Sequence, residues 1–224
     1  MYFKYKKNFF SQNGEDGIID KILEDLNIKE NLYVCEFGAW DGKFLSNTFN
    51  LVHKRNANAL MIEGDEERFK DLIKTSKKFS SIIPVNKFVC PTGNNSLDSI
   101  LDQNKFPIDF DILSIDIDSN DLEIWEKLKK YKPKIVIIEI NSSIIPGVKQ
   151  RHDPEKNQIG NSFSSTLEVA YQKGTGTPTY QWFSNTIDAN SGGNPIAGET
   201  TASYNPPTNV LGETFYYVEI SFSS

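Results

Sequence analysis

The sequence predicts an α/β protein with a Rossmann-like, doubly wound and mostly parallel sheet, followed by a β-rich C-terminal segment. Three observations lead there. Strand-like runs alternate with helical stretches over residues 11–140, the pattern of a parallel sheet with helices on both faces. Runs such as Ile135-Val136-Ile137-Ile138 have no polar face, as central parallel strands buried on both sides require. The first strand runs into an acid and two glycines four apart, in Val34-Cys35-Glu36-Phe37-Gly38-Ala39-Trp40-Asp41-Gly42. That layout turns the backbone sharply at a strand's carboxyl end, where open α/β sheets bind nucleotides.

Ser11 to Leu26 opens with the acids Glu15 and Asp16 and then places Ile18, Ile19, Ile22, Leu23 and Leu26 at helical spacing, which predicts an amphipathic helix. Strands are expected at 32–36, 58–62, 82–89, 110–115 and 134–140, and helices at 44–55, 66–76, 96–103 and 120–130. From Asn141 to Gly160 the chain is polar and carries Pro146, Gly147 and Pro154, so a long loop beside the site is expected. Ser162 to Lys173 reads as a short helix with Phe163, Leu167 and Ala170 on one stripe, ended by Gly174. Beyond Gly174 charged residues almost vanish and Thr, Ser, Asn, Gly and Pro dominate, with strands expected at Thr179–Ser184 and Thr214–Phe222.

The turn after the first strand also selects among ligands. A dinucleotide fingerprint places glycines so that a helix N-terminus can take a pyrophosphate, but here Trp40 replaces the middle glycine, and Glu36 and Asp41 bring negative charge. Carboxylates there repel a diphosphate and suit a ligand with a ribose, a neutral base and a positive charge. S-adenosylmethionine has those parts. The second strand, Asn58-Ala59-Leu60-Met61-Ile62, ends in Glu63, near the ~20-residue offset at which an acid meets ribose hydroxyls. Glu36, Gly38, Ala39, Asp41, Gly42 and Glu63 are therefore the expected cofactor-binding residues.

The cluster Asp116-Ile117-Asp118-Ser119-Asn120-Asp121 invites a calcium loop, yet Asp121 stands where the turn glycine belongs and Lys127 where the closing glutamate belongs. No resident metal is expected on that count. Asp116, at a strand end, is the candidate base or cation ligand, while Asp118 and Asp121 are expected to cap the next helix. Glu139 and Asn141 end the fifth strand. Asp116, Glu139 and Asn141 are the expected catalytic residues: the carboxylate pair can take a proton from a sugar hydroxyl or hold a cation that lowers its pKa. His152 lies in the adjacent loop and reads as solvated; His53 follows an apolar helix face and reads as structural.

Motif by motif, residues from about 9 to 174 resemble the FkbM-type class I methyltransferases. The matching pieces are Phe10-Ser11-Gln12-Asn13-Gly14-Glu15-Asp16, Glu36 to Gly42 with Leu45-Ser46-Asn47-Thr48, Ile62-Glu63-Gly64-Asp65, Ser96 to Leu101, Asp111 to Asp118 and Ile137 to Asn141. Gly64 departs from the proline common in the family, and Ser119-Asn120 from its glycine. The resemblance implies a class I fold, S-adenosylmethionine as cofactor and methylation of an oxygen on a carbohydrate or polyketide acceptor. It also implies two further strands after the helix ending near Gly174. This chain instead carries Gly176 to Asn185, Ser191-Gly192-Gly193, Tyr204-Asn205-Pro206-Pro207 and Phe215-Tyr216-Tyr217-Val218, similar to part of an immunoglobulin-like repeat of bacterial surface adhesins. The expected domains are thus 1–174, methyltransferase-like without its last two strands, and 175–224, a partial immunoglobulin-like segment. The tail strands are expected to substitute for the missing ones. The competing expectation is a half-sandwich on a Gly174-Thr175-Gly176 linker, free to self-associate.

The chain of 224 residues is 38% hydrophobic and 24% charged with a net charge of −6. Acidic balance without a basic face argues against a nucleic-acid partner. No apolar run approaches the ~20 residues of a membrane helix, and the N-terminus lacks a secretory pattern. Cys35 and Cys90 fall on strands that are not neighbours, so free thiols and a cytoplasmic location are expected. A small-molecule or glycan acceptor is the expected partner. The rival is a non-catalytic protein with a vestigial Rossmann-like domain and an adhesin-like interaction tail.

Overall fold

The computed structural model describes residues 2–174, 177–189, 191–207 and 212–223. Strand β1 (Tyr33–Phe37) lies at the centre of a five-stranded parallel sheet, between β2 (Asn58–Glu63) and β4 (Ile112–Ile115). Beyond β2 lies β3 (Ile82–Asn86) and beyond β4 lies β5 (Ile135–Ile138), giving the order β3-β2-β1-β4-β5. Phe37 pairs with Ile62 and Ile115, and Ile115 with Ile138. This register brings Gly38, Glu63, Asp116 and Glu139 to one edge of the sheet, where the strand order reverses about β1 and a crevice opens.

Helices α1 (Glu15–Asp25), α2 (Phe49–Arg55), α3 (Glu66–Ser76), α4 (Leu97–Gln103) and α5 (Asp121–Lys127) connect these strands or precede them. Val34, Cys35, Leu60, Ile112 and Leu113 are fully buried, as the apolar runs predict. Each large aliphatic among them contributes about 1.5–3 kcal/mol through burial. Asp65 caps α3 by accepting from the Arg68 N–H at 2.8 Å, and Ser96 caps α4 through the Ser99 N–H. The expected helix at 44–55 begins only at Phe49, because residues 46–48 fold back onto Glu36.

Two conspicuous sequence acids are structural. Asp16 accepts from the N–H groups of Phe9, Phe10 and Ser11 at 2.7, 2.8 and 2.9 Å, and from the Ser11 hydroxyl at 3.0 Å. The N-terminal segment is thereby pinned on α1. Gly17 permits the close approach, since a Cβ there would stand 2.0 Å from the Tyr5 carbonyl oxygen. Asp111 accepts from the Tyr33 N–H and the Lys134 ammonium at 2.8 and 2.7 Å, joining the starts of β1, β4 and β5.

The chain divides into two compact units between Glu139 and Ile140, ahead of the change of composition near 174. Helix α6 (Phe163–Gln172), capped by the Ser162 hydroxyl, belongs to the second unit. So does an antiparallel sheet of β6 (Thr177–Asn185), β7 (Asn194–Pro195) and β8 (Phe215–Ser223), ordered β7-β6-β8. The expectation that the tail strands replace the last strands of the parallel sheet is corrected: among the described residues they pair with each other. Trp182 faces Val218 and Phe183 faces Tyr217, whose rings stack with centroids 4.9 Å apart. Cross-strand aromatic pairs of this kind favour the tail's own sheet. Trp182 is buried, tilts against Tyr204 and donates its indole N–H to the Thr201 carbonyl. Of the expected Gly174–Gly176 linker, Thr175 and Gly176 lie outside the described residues. Among the described residues no helix is long and apolar enough to cross a membrane, and both cysteines are free thiols.

Candidate cofactor and active site

The turn after β1 is held from two sides. Gly38 and Ala39 each donate an N–H to the Ile62 carbonyl at 3.1 Å, and Trp40 donates its N–H to Glu63 at 2.8 Å. Gly38 (φ 80) and Gly42 (φ 77) adopt left-handed backbone. A Cβ at Gly38 would lie 1.8 Å from the Asp116 carbonyl oxygen, so glycine is required there by the approach of β1's turn to β4's end. At Gly42 a Cβ would press on Leu72 and Met61, at 2.7 and 3.0 Å. Asp41 receives the N–H groups of Lys43 and Phe44 and closes the turn.

Glu36 points into the protein. Its carboxylate accepts from the hydroxyls of Ser46 and Thr48 at 2.6 and 2.5 Å and from the Asn47 N–H at 3.0 Å. Burial pushes its carboxyl up from the ordinary range, and these hydrogen bonds pull against that rise. The Leu45-Ser46-Asn47-Thr48 motif thus supplies Glu36's partners. The Asn47 amide goes on to donate to the Ser114 hydroxyl on β4 at 3.1 Å.

A cavity of about 470 Å³ opens along the carboxyl edge, with Gly38, Glu63, Arg68, Lys87, Phe88 and Asp116 among its lining residues. Of the expected cofactor-binding residues, Gly38 and Glu63 line it, whereas Glu36, Ala39, Asp41 and Gly42 shape the turn behind it. Glu63 receives the Trp40 and Asp65 N–H groups, one on each oxygen, which fixes the carboxylate while leaving lone pairs for a ligand. Three wall residues escaped the sequence reading. Phe88 is 70% exposed and its ring packs on Gly64, where a Cβ would come within 2.4 Å. Arg68 stacks on Trp40 at 4.3 Å from the ring centroid, and Lys87 follows β3. The signal for Phe88 was its place beside Lys87 at a strand's end; Gly64, noted only as a departure from the family, is its counterpart.

Asp116 and Asp118 line the other end of the cavity, and Glu139 stands beside them: the three each bring an oxygen within 4.8 Å of the others. Partial burial raises the Asp116 carboxyl to about 6, helped by the negative charges of Asp118 and Asp121. Glu139 is raised to about 7, again by desolvation first and then by Asp116 and Asp118. Such groups exchange protons near neutrality, and the same three oxygens could hold a divalent cation. Asp118 (φ 57) is not the helix cap, contrary to expectation: Asn120 holds the N-cap position of α5. Asp121 does the fastening, accepting from the Ile117 and Ser119 N–H groups, both at 2.8 Å.

Asn141 belongs to the second unit. Its amide donates to the Ile159 carbonyl at 2.9 Å and its oxygen accepts from Ser143, so it organises the 141–162 loop. His152 does likewise, donating its N–H to Asn161 and accepting from the Gly160 N–H at Nδ1. His53 contacts the rings of Phe10, Phe49 and Phe79.

Compared by sequence, the chain matches no protein-family model and no curated protein. Solved structures do resemble it. The CurJ carbon methyltransferase is 11% identical with a TM-score of 0.50, over 80% of this chain and 49% of that one. Precorrin-6y C5,15-methyltransferase from Geobacter metallireducens is 13% identical with a TM-score of 0.46, over 97% of this chain and 92% of that one. The N-terminal domain of EvdMO1, solved with SAH bound, is 10% identical with a TM-score of 0.47, over 74% and 73%. The five-stranded parallel sheet with its flanking helices is the Rossmann-like fold of the methyltransferases.

Proposed function

We propose that the protein is an S-adenosylmethionine-dependent methyltransferase of the FkbM type, acting on a hydroxyl of a carbohydrate or related small acceptor. The observation that carries this reading is the single cavity joining Gly38, Glu63 and Asp116 at the strand ends. Its volume of about 470 Å³ lies within the ~300–1,000 Å³ usual for ligand sites. The residues fit the cofactor: Glu63 is fixed with lone pairs free to accept ribose hydroxyls, Phe88 offers an exposed ring, and acidic Asp116 and Asp118 suit a cation. Bound there, S-adenosylmethionine supplies a methyl group on a positively charged sulfur. Gly38 keeps the turn close, the Glu63 carboxylate orients the ribose, and Asp116 with Glu139 accepts the proton of the acceptor hydroxyl at a carboxylate oxygen. Alignment and proton removal are what methyl transfer asks of a protein.

On this reading the methyltransferase-like part is residues 1–174, followed by a partial immunoglobulin-like segment in 175–224, and the acceptor is a small molecule or glycan. Free Cys35 and Cys90 support a cytoplasmic setting. A second reading rests on β8, a nine-residue edge strand: a vestigial Rossmann-like domain whose tail self-associates through that edge. Calorimetric titration with S-adenosylhomocysteine tests the choice. Saturable one-site heat, weakened in Glu63→Gln, supports the enzyme, and no saturable heat in a folded protein overturns it.

A further inference from the structure

The second unit holds a cavity of its own, about 260 Å³ in volume. Phe163, Leu167 and Tyr171, spaced four apart along one face of α6, form one wall, and Tyr180 of β6 contributes to another. The Gly147 N–H donates to the Ser164 hydroxyl at 2.7 Å and fastens the preceding loop to the same helix. Lys149 and Glu168 also line the cavity, paired at 3.0 Å with side chains 64% and 40% exposed. An apolar body with one polar pair is the make-up of a small-ligand site.

We propose that this cavity binds a small, neutral ring compound bearing a hydroxyl, of the phenol class. Phe163, Leu167 and Tyr171 offer apolar faces against which a ligand ring can pack. The volume suits one six-membered ring with a short substituent, being just below the ~300 Å³ at which ligand pockets usually begin. The ion pair dictates the polar group. A hydroxyl can donate to the Glu168 carboxylate and accept from the Lys149 ammonium, two charge-assisted hydrogen bonds from one atom. A ligand carboxylate gains the Lys149 ammonium only against repulsion from Glu168, and a ligand ammonium gains the Glu168 carboxylate only against repulsion from Lys149. This site is independent of the methyl-transfer reading, since it is read by binding alone.

The test is calorimetric titration of the full chain with p-cresol, toluene, benzoate and benzylamine. Expected is one-site binding of p-cresol, with toluene, benzoate and benzylamine each at least about fivefold weaker. Leu167→Trp, which fills the cavity, should weaken p-cresol about tenfold or more while leaving S-adenosylhomocysteine heats unchanged. Glu168→Gln, a surface change that keeps the fold, should erode the preference for p-cresol over toluene. The proposal is overturned by absence of saturable p-cresol binding, by equal affinity for toluene, or by an unchanged preference in Glu168→Gln. Failure of S-adenosylhomocysteine to bind the parent chain, with p-cresol binding intact, would remove the methyltransferase reading alone.

Discussion

Carboxylates at the two ends of the parallel sheet's crevice are in opposite condition. Glu36 and Glu63, at the ends of β1 and β2, are held by hydroxyl and N–H donors from the turn and loop around them. Asp116, Asp118 and Glu139, at the ends of β4 and β5, have mainly one another for neighbours. The satisfied acids build the cavity. The crowded ones are poised to move a proton, because a carboxylate beside other carboxylates keeps its proton to higher pH.

The largest effect falls at Gly38, whose turn meets the Asp116 backbone between the two groups. Gly38→Val forces a Cβ against the Asp116 backbone oxygen in a left-handed conformation. We expect a loss of more than about 4 kcal/mol, as for other gross backbone clashes, measured by urea denaturation.

Next in size is Asp116→Asn. If the crowded acids do the chemistry, transfer to an identified acceptor should fall about 10²- to 10⁴-fold, the usual worth of a general base, with S-adenosylhomocysteine affinity nearly unchanged. Parallel loss of binding and turnover would move Asp116 into the scaffold group.

Glu36→Gln sharpens the scaffold side. The amide keeps the shape but turns a donor toward the hydroxyls of Ser46 and Thr48, and about 1–3 kcal/mol of stability should be lost. Thermal unfolding checks this; an unchanged Tm would show that Glu36 does not hold the loop.

The smallest expected effect is that of Asp118→Asn. Removing this charge should lower the carboxyl pKa values of Asp116 and Glu139 and move the rising limb of the pH–rate profile toward acid. Stability should follow with the opposite sense. Folded values of about 6 and 7, against ordinary values of 3.8 and 4.5, mean that the native state binds protons more tightly than the unfolded chain. The parent protein therefore loses stability as pH rises from about 4 through about 7, and Asp118→Asn should gain more Tm at pH 8 than at pH 5.

The same contrast explains what could be read from the sequence. The five strands, and the residues that end four of them, were legible because buried parallel strands leave continuous apolar runs, and Gly38, Glu63, Asp116 and Glu139 close those runs. Glu36's inward turn was not legible, since its partners Ser46 and Thr48 reach it by a loop that folds back without periodic pattern. Phe88 and Arg68 were missed because a cavity wall is made by neighbours in space: Phe88 needs Gly64 from another strand's end, and Arg68 needs Trp40. In the tail, the strands expected at Thr179–Ser184 and Thr214–Phe222 match β6 and β8, but a strand's own residues do not say which strand is its partner.

Whether the acids at the ends of β4 and β5 are poised while the protein holds its fold is measured by carbon-detected NMR titration of the side-chain carboxyl groups from pH 4 to 9. Asp116 and Glu139 should titrate near 6 and 7, as a coupled pair whose midpoints fall together in Asp118→Asn. Midpoints near 4 for both, in the folded chain, would contradict the account.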